Sequence, residues 1–290
     1  MNGLGLATPS FGPAPHATGH AVSHAVSHAS WPGARDAASR RWLPHAEAGT
    51  AHSHRLFCLP FAGGGASSFM GLRRNAPAWL DVQPIQLPGR ESRTAETPLR
   101  SVEAVVTALV EALRPWLDRP FGLLGYSLGA RVARALILQL RREDMPLPHI
   151  LFLAAHRAPN APSRRPPLHM LPSDAFWARL AAYNGTPSEV LANQELRDLL
   201  EPMLRADFEM AEGAMPAAAP LPCPVVAFAG TEDPFAGPQD MAGWALETRG
   251  DFELVTVEGA HFFLRTNARC FMDHVFSRAA HRLLPHAVAA

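Results

Sequence analysis

Phe121-Gly-Leu-Leu-Gly-Tyr-Ser127-Leu-Gly129, running on through Ala130-Arg-Val-Ala-Arg-Ala-Leu-Ile-Leu-Gln-Leu-Arg-Arg142, is the stretch whose reading decides the fold. Residues 121–126 form a short apolar run of the length and character of a buried strand. From Leu128 to Arg142 the apolar residues fall at helical spacing. Between them, Gly125 and Gly129 flank Ser127 in the pattern G-x-S-x-G. A serine on a sharp strand-to-helix turn stands exposed at the edge of a sheet, and the flanking glycines let backbones approach where side chains would collide. The N-terminus of the following helix favours negative charge developing beside the hydroxyl.

The same alternation extends outward in both directions. Upstream, Arg55 to Pro60 reads as a strand that ends in a Gly-rich turn, Phe61-Ala-Gly-Gly-Gly-Ala-Ser67. A helix is expected around Met70 to Trp79, a strand at Val82 to Leu87, and a helix over Ser101 to Leu117 with Ser101 as its N-cap. Downstream, strands are expected at His149 to Ala154, Pro224 to Ala229 and Phe252 to Val257, with a last helix from about Asn267 to Leu283. Strands alternating with helices imply an α/β fold with a mostly parallel central sheet flanked by helices. Between the strands near Ala154 and Pro224 the pattern is purely helical: 173–183, 188–191 and 195–214, with Ser173 and Asn193 as N-caps. Placed at the end of a parallel sheet where ligands bind, this insertion, about 172–215, reads as a lid.

Composition bounds the rest. Among 290 residues, 26 basic side chains balance 26 acidic ones, so there is no electrostatic footprint of a nucleic-acid or membrane-surface binder. No apolar run reaches the ~18 residues of a membrane span. The N-terminus lacks a basic region followed by an apolar core, so a cytoplasmic location is expected. Cys58, Cys223 and Cys270 are far apart and show neither metal-ligand spacing nor a disulfide framework. Residues 1–53, rich in Ala, Gly, Pro, Ser and His, are expected to be a disordered low-complexity extension. In it His16, His20, His24 and His28 recur every fourth residue; the repeat is read as low complexity, with a metal stripe as the alternative. The domain is expected to span 54–285, with 286–290 as a tail.

A serine hydroxyl is a poor nucleophile until a base takes its proton. In a fold with this elbow the partners follow in the order Ser, Asp or Glu, His. Of the histidines after Ser127, His261 alone sits just after a final strand and before the last helix, where a loop reaches over the sheet edge. Asp233, in the turn after the strand ending at Ala229, is the expected acid that fixes the imidazole tautomer; Asp240 is the runner-up. An oxyanion hole would take the backbone N–H of Leu128 and a second one from Phe61 or Ala62. Among the lid's apolar residues, Phe176, Trp177, Leu180, Leu200, Met203, Leu204, Phe208 and Met210, some are expected to line an acyl pocket, chiefly Phe176, Trp177, Leu180, Met203 and Phe208.

Taken together, the motifs resemble a known family. They are Leu59 to Phe69, Gln86-Leu-Pro-Gly-Arg-Glu91, the elbow, Arg157-Ala-Pro159, Gly230-Thr-Glu-Asp233 and Gly259-Ala-His-Phe-Phe-Leu264. With Leu180-Ala-Ala-Tyr-Asn-Gly-Thr-Pro-Ser-Glu-Val-Leu191 and Leu204-Arg-Ala-Asp-Phe208 in the lid, they look like the type II thioesterases of nonribosomal peptide and polyketide synthesis. The resemblance implies an α/β-hydrolase fold and puts catalytic roles on Ser127, Asp233 and His261. It implies hydrolysis of acyl thioesters held on the phosphopantetheine arm of an acyl or peptidyl carrier protein, with no metal or organic cofactor. An esterase or acyl-CoA thioesterase of the same fold is the alternative within enzymes, and a non-catalytic α/β-hydrolase-like binding protein the alternative outside them. Three positions depart from the family. Tyr126 and Leu128 stand where Gly-His-Ser-Met-Gly is common, and His156 stands where Gly or Arg is more usual, a loop residue near the site without a triad role. The N-terminal extension has no counterpart there.

Overall fold

The computed structural model describes residues 37–47, 50–161 and 166–284. Six strands form one sheet: β1 (His54–Leu59), β2 (Leu80–Pro84), β3 (Phe121–Tyr126), β4 (Ile150–Ala154), β5 (Val225–Gly230) and β6 (Phe252–Val257). Their spatial order is β2-β1-β3-β4-β5-β6, and all five pairings are parallel. The chain therefore leaves β1 toward one edge and returns to lay β3 on its other side. Strand order reverses between β1 and β3, and in open parallel sheets ligands bind at the carboxyl ends of the strands at such a point.

Side chains alternate between the two faces of the sheet, and both faces are buried. On one face Phe57, Leu59, Leu123, Leu151, Leu153 and Ala227 pack under α3 (Val102–Leu113) and α4 (Leu128–Arg142), which follow the short helices α1 (Ala37–Trp42) and α2 (Met70–Arg74) in the chain. On the other, Leu56, Leu124, Phe152 and Phe228 pack against Phe271, Val275 and Ala279 of the C-terminal helix, Ala268–Leu283. Ser101 caps α3 by accepting the Ala104 amide at 3.1 Å, as its spacing predicts.

Packing on the domain extends upstream of residue 54, into the stretch expected to be disordered. Ala37–Trp42 forms a short helix, and Trp42, Leu43 and Ala46 are buried in the core on the α3 side. Ser39 Oγ donates to the Ala112 carbonyl at 2.6 Å and accepts from Trp116 Nε1 at 2.6 Å. The Trp42 carbonyl accepts the Gln86 amide. One apolar pair in a polar stretch shows no periodicity, yet a single tryptophan buries enough surface to dock it. His16 to His28 lie outside the described residues.

The insertion after β4 is helical, as expected: Ser173–Ala181 (α5), Ser188–Ala192 (α6) and Gln194–Glu212 (α7). Asn193 caps α7 through Leu196 N. These helices enclose a third, smaller apolar cluster around Phe176, Trp177, Leu180, Met203, Leu204 and Phe208. Polar contacts hold the block to the sheet domain. Arg131 of α4 donates to the carbonyls of Ala211, Gly213 and Ala214 at the end of α7, where a cation also complements the helix dipole. Within the insertion itself, Glu212 takes the Leu168 amide at 2.6 Å and His169 Nδ1 at 2.6 Å. Among the described residues no helix is long and apolar enough to cross a membrane.

Candidate active site

Ser127 occupies the turn between β3 and α4 with φ 52° and ψ −114°, a backbone conformation that costs a non-glycine residue about 1–3 kcal/mol. The turn is tight because α4 starts against the end of β1. A Cβ on Gly129 would collide with the Leu59 carbonyl, and one on Gly125 with the backbone of Gly129 and Ala130. The Ser127 amide donates to Ala154 O at 2.8 Å, tying the elbow to the neighbouring strand. As the first residue of α4, Leu128 has an N–H with no intrahelical acceptor.

Asp233 and His261 come from the turns after β5 and β6, which are neighbours in the sheet. The turns also bond to each other: Thr231 N donates to Val257 O and Glu232 N to Gly259 O. His261 Nδ1 lies 2.8 Å from Asp233 Oδ2, and His261 Nε2 lies 3.2 Å from Ser127 Oγ. Asp233 Oδ1 accepts the amides of Phe235 at 2.8 Å and Ala236 at 3.2 Å. Burial pushes this carboxyl's pKa up, but its bond to His261, the imidazole's charge and the two amides outweigh burial and hold it below the usual value. Asp240 lies on a short helix, Pro238–Ala242, and lines the neighbouring cavity without meeting His261; Glu232 is exposed. The fold thus brings Ser127, His261 and Asp233 within hydrogen-bonding reach of one another.

The residue before the serine has a part that its spacing did not reveal. Tyr126 is fully buried, and its phenol donates to the His261 carbonyl at 2.6 Å. A buried tyrosine hydroxyl seeks an acceptor, and here it pins the loop that carries the imidazole. Around that ring, Tyr183, Phe235 and Phe262 stand edge-on with centroids 5.5, 5.7 and 5.1 Å away. Tyr183 of the lid stacks face to face on Phe235 at 3.8 Å. His156 is buried against the carbonyls of Arg157 and Ala211. Burial and the nearby Arg131 push its pKa down to about 3, so it stays neutral near neutral pH.

Two cavities meet at Ser127 and His261. One, of about 300 Å³, is mostly apolar and runs under the lid between Phe61, Ala62, Leu180, Leu200, Met203 and Leu204. The other, of about 130 Å³, is lined by His156, Arg157, Arg179, Glu212 and Asp240. Tyr183 and Phe208 line both. Of the lid residues expected in the pocket, Leu180, Met203 and Phe208 do line it. Phe176 and Trp177 are corrected: neither lines these cavities. Phe176 packs edge-on against Trp177 and Phe208 under Arg205, and Trp177 Nε1 donates to Glu201 at 2.6 Å. They are the lid's own core, because a three-helix insertion must bury a face before it can offer one. Met210 packs with the sheet domain.

In the turn after β1, Gly63 N donates to Asp207 of α7 and Gly64 N to the Phe61 carbonyl. Phe61 and Ala62 are left as the amides that could face an oxyanion. Among the described residues no group of three or more His, Cys, Asp or Glu side chains could hold a metal ion.

A parallel sheet with a strained serine elbow, a histidine between serine and carboxylate, and a helical lid defines an α/β-hydrolase with an acyl-sized cavity. Residues 54–283 match the thioesterase domain model, and the chain belongs to that family. It is 36% identical over 225 residues to the gramicidin S biosynthesis protein GrsT of Aneurinibacillus migulanus, covering 77% of this chain and 88% of that one. With the thioesterase PikA5 of Streptomyces venezuelae it shares 38% identity over 213 residues, 72% of this chain and 75% of that one. Among solved structures, RedJ, a thioesterase from the prodiginine pathway of Streptomyces coelicolor, superposes with a TM-score of 0.73 at 32% identity, covering 78% of this chain and 91% of RedJ.

Proposed function

We propose that the protein is a stand-alone serine thioesterase that hydrolyses acyl thioesters from the phosphopantetheine arm of carrier proteins, as part of nonribosomal peptide or polyketide synthesis. The observation that carries this reading is His261 lying between Ser127 Oγ and Asp233 in a chain whose relatives bear such names. Ser127 Oγ attacks the thioester carbonyl while His261 Nε2 takes its proton; Asp233 holds the imidazole in the required tautomer and stabilises its cation. Leu128 N–H and an amide of the Phe61–Ala62 segment receive the carbonyl oxygen as it gains charge. The C–S bond then breaks, and the thiol leaves with the proton from His261. Water, deprotonated by His261, attacks the acyl-serine; the bond from the acyl carbon to Ser127 Oγ breaks, Oγ takes the proton back from His261, and the acid is freed. The apolar cavity under the lid suits the acyl chain, and the mixed one, with its charged side chains, suits the thiol end of the arm. The hydrolase domain of this reading is the segment 54–285 with its lid at about 172–215, to which residues 37–47 add a docked flank.

The test uses one acyl group on a carrier protein, on CoA and as a p-nitrophenyl ester. Carrier-bound thioester is expected to be the best substrate, and Ser127→Ala to lose on the order of 10⁶-fold in kcat with an unchanged circular dichroism spectrum. A serine-directed phosphonate is expected on Ser127 alone. Equal rates on CoA and carrier would reduce the reading to a general thioesterase, and turnover surviving in Ser127→Ala would remove the nucleophile.

A further inference from the structure

One buried carboxylate has no part in the proposed triad. Asp207, on α7 of the lid, is fully buried, and Arg90, in the loop after β2, nearly so. Arg90 grips it with two bonds, Nη1 to Oδ2 at 2.7 Å and Nη2 to Oδ1 at 2.9 Å. Asp207 Oδ2 also accepts the backbone N–H of Gly63 at 2.7 Å. Gly63 has φ +78°, so this peptide is turned into the left-handed region and its N–H points at the lid. Gln86 joins the same knot: its side-chain oxygen accepts Ala66 N at 2.9 Å, and its amide donates to Arg90 O at 3.0 Å. Leu204, one turn before Asp207 on α7, lies directly over Gly63.

Stability is a poor explanation for this arrangement. A buried ion pair is often no better for stability than apolar residues of the same volume. Arg90 Nε is moreover buried without an acceptor, a further cost. What the clamp does supply is direction. The N–H of Gly63 and the carbonyl of Ala62 belong to one peptide plane. Holding that N–H toward α7 fixes the plane and sets the orientation of the Phe61 and Ala62 amides just upstream.

We propose that Asp207 is a positioning residue for the oxyanion hole: a carboxylate on the lid that holds the Phe61–Gly64 turn in its donating conformation, so that oxyanion stabilisation depends on the lid helix being seated. Asp207 lines neither cavity and touches no reacting atom. The inference rests on the Ser127 reading above. It predicts that loss of Asp207 weakens transition-state binding and leaves ground-state binding alone.

The test compares wild type with Asp207→Asn and with the double variant Arg90→Met/Asp207→Leu, which removes both charges and leaves neither orphaned. Each is assayed for kcat and KM on an acyl thioester, for affinity toward an alkyl trifluoromethyl ketone, and for thermal stability. The ketone reports on the hole directly. Ser127 Oγ bonds to its carbonyl carbon, the serine proton passes to His261, and the carbonyl π pair moves onto the oxygen that the hole must hold. Both variants are expected to lose about 10–100-fold in kcat, with KM within about twofold and ketone affinity falling in step with kcat/KM. A folded double variant with wild-type kcat would overturn the proposal. So would a kcat loss with ketone affinity unchanged, which would mark a role outside the hole. Failure of phosphonate to label Ser127 in the wild type would overturn the triad reading and this one with it; labelling that persists beside unaffected variants overturns this one alone.

Discussion

The sheet edge and the lid meet at one site, yet they are held in place by different forces. Ser127 and Asp233 stand on turns that close strands buried on both faces, His261 follows the half-buried edge strand β6, and the ladder between neighbours fixes their spacing. The lid has a small core of its own and, besides the packing of Met210 and the Tyr183–Phe235 stack, is joined to the sheet domain by directional bonds: Arg131 to three carbonyls and Asp207 to Arg90 and Gly63. Apolar burial is insensitive to direction and hard to undo locally, whereas a charge-assisted bond is strong only in one geometry. On the proposed reading the triad is therefore built on the part that does not adjust, while the apolar cavity is roofed by the part whose seat is set bond by bond.

The sharpest way to break this comparison is at the acid. Asp233→Asn keeps the shape but favours the wrong imidazole tautomer, and is expected to cost about 10⁴-fold in kcat; Asp240→Asn is expected to cost less than tenfold. Steady-state assays on one thioester decide it, and the reverse ranking would mean the sheet edge presents a different carboxylate. The same variant gives a pH test. Asp233 titrates below its unfolded value of about 4. Its ionised form therefore stabilises the fold above that pH, and the contribution disappears as pH falls through the lower, folded value. Urea unfolding of wild type and variant should converge as pH drops below about 4.

A second test asks where the rigid part ends. Trp42→Ala is expected to cost about 3–5 kcal/mol of stability while kcat in the remaining folded protein stays near wild type. Denaturant unfolding with active-site titration checks both. A negligible loss would return the segment 37–47 to the extension.

The smallest expected effect sharpens the lid side. Met203→Trp narrows the apolar cavity and is expected to shift the ratio of kcat/KM between long and short acyl chains by about tenfold, with little change in melting temperature. Trp177→Ala, in the lid's own core, should do the opposite: lower stability and leave the ratio alone. If both variants only destabilise, the lid is scaffold.

These contrasts also explain what the sequence made legible. The elbow was readable because a strained turn admits few residues on either side of Ser127, and His261 and Asp233 because the strands before them are short apolar runs. The division of labour within the lid was not readable. Phe176, Trp177 and Leu180 share one helical stripe, and periodicity cannot tell a face turned to a neighbouring helix from one turned to a cavity. Trp42-Leu43 is too short to show any period. Tyr126 and Asp207 each gave a signal of another kind, a phenol and a carboxylate placed among apolar residues, where a polar atom must find a partner.

The two cavities that share Ser127 impose an asymmetry of solvation on the reaction. Whatever occupies the apolar chamber keeps water out of it, so the ester formed on Ser127 is dry on the side of its chain. The chamber beside Arg157, Arg179, Glu212 and Asp240 stays wettable once the thiol has gone. In the proposed mechanism the attacking water therefore comes from the space the leaving group has vacated, with the imidazole of His261 on the boundary between the two. Departure of the first product clears the approach of the second reactant, and an acyl chain that overfills the dry chamber into the wet one would obstruct its own release.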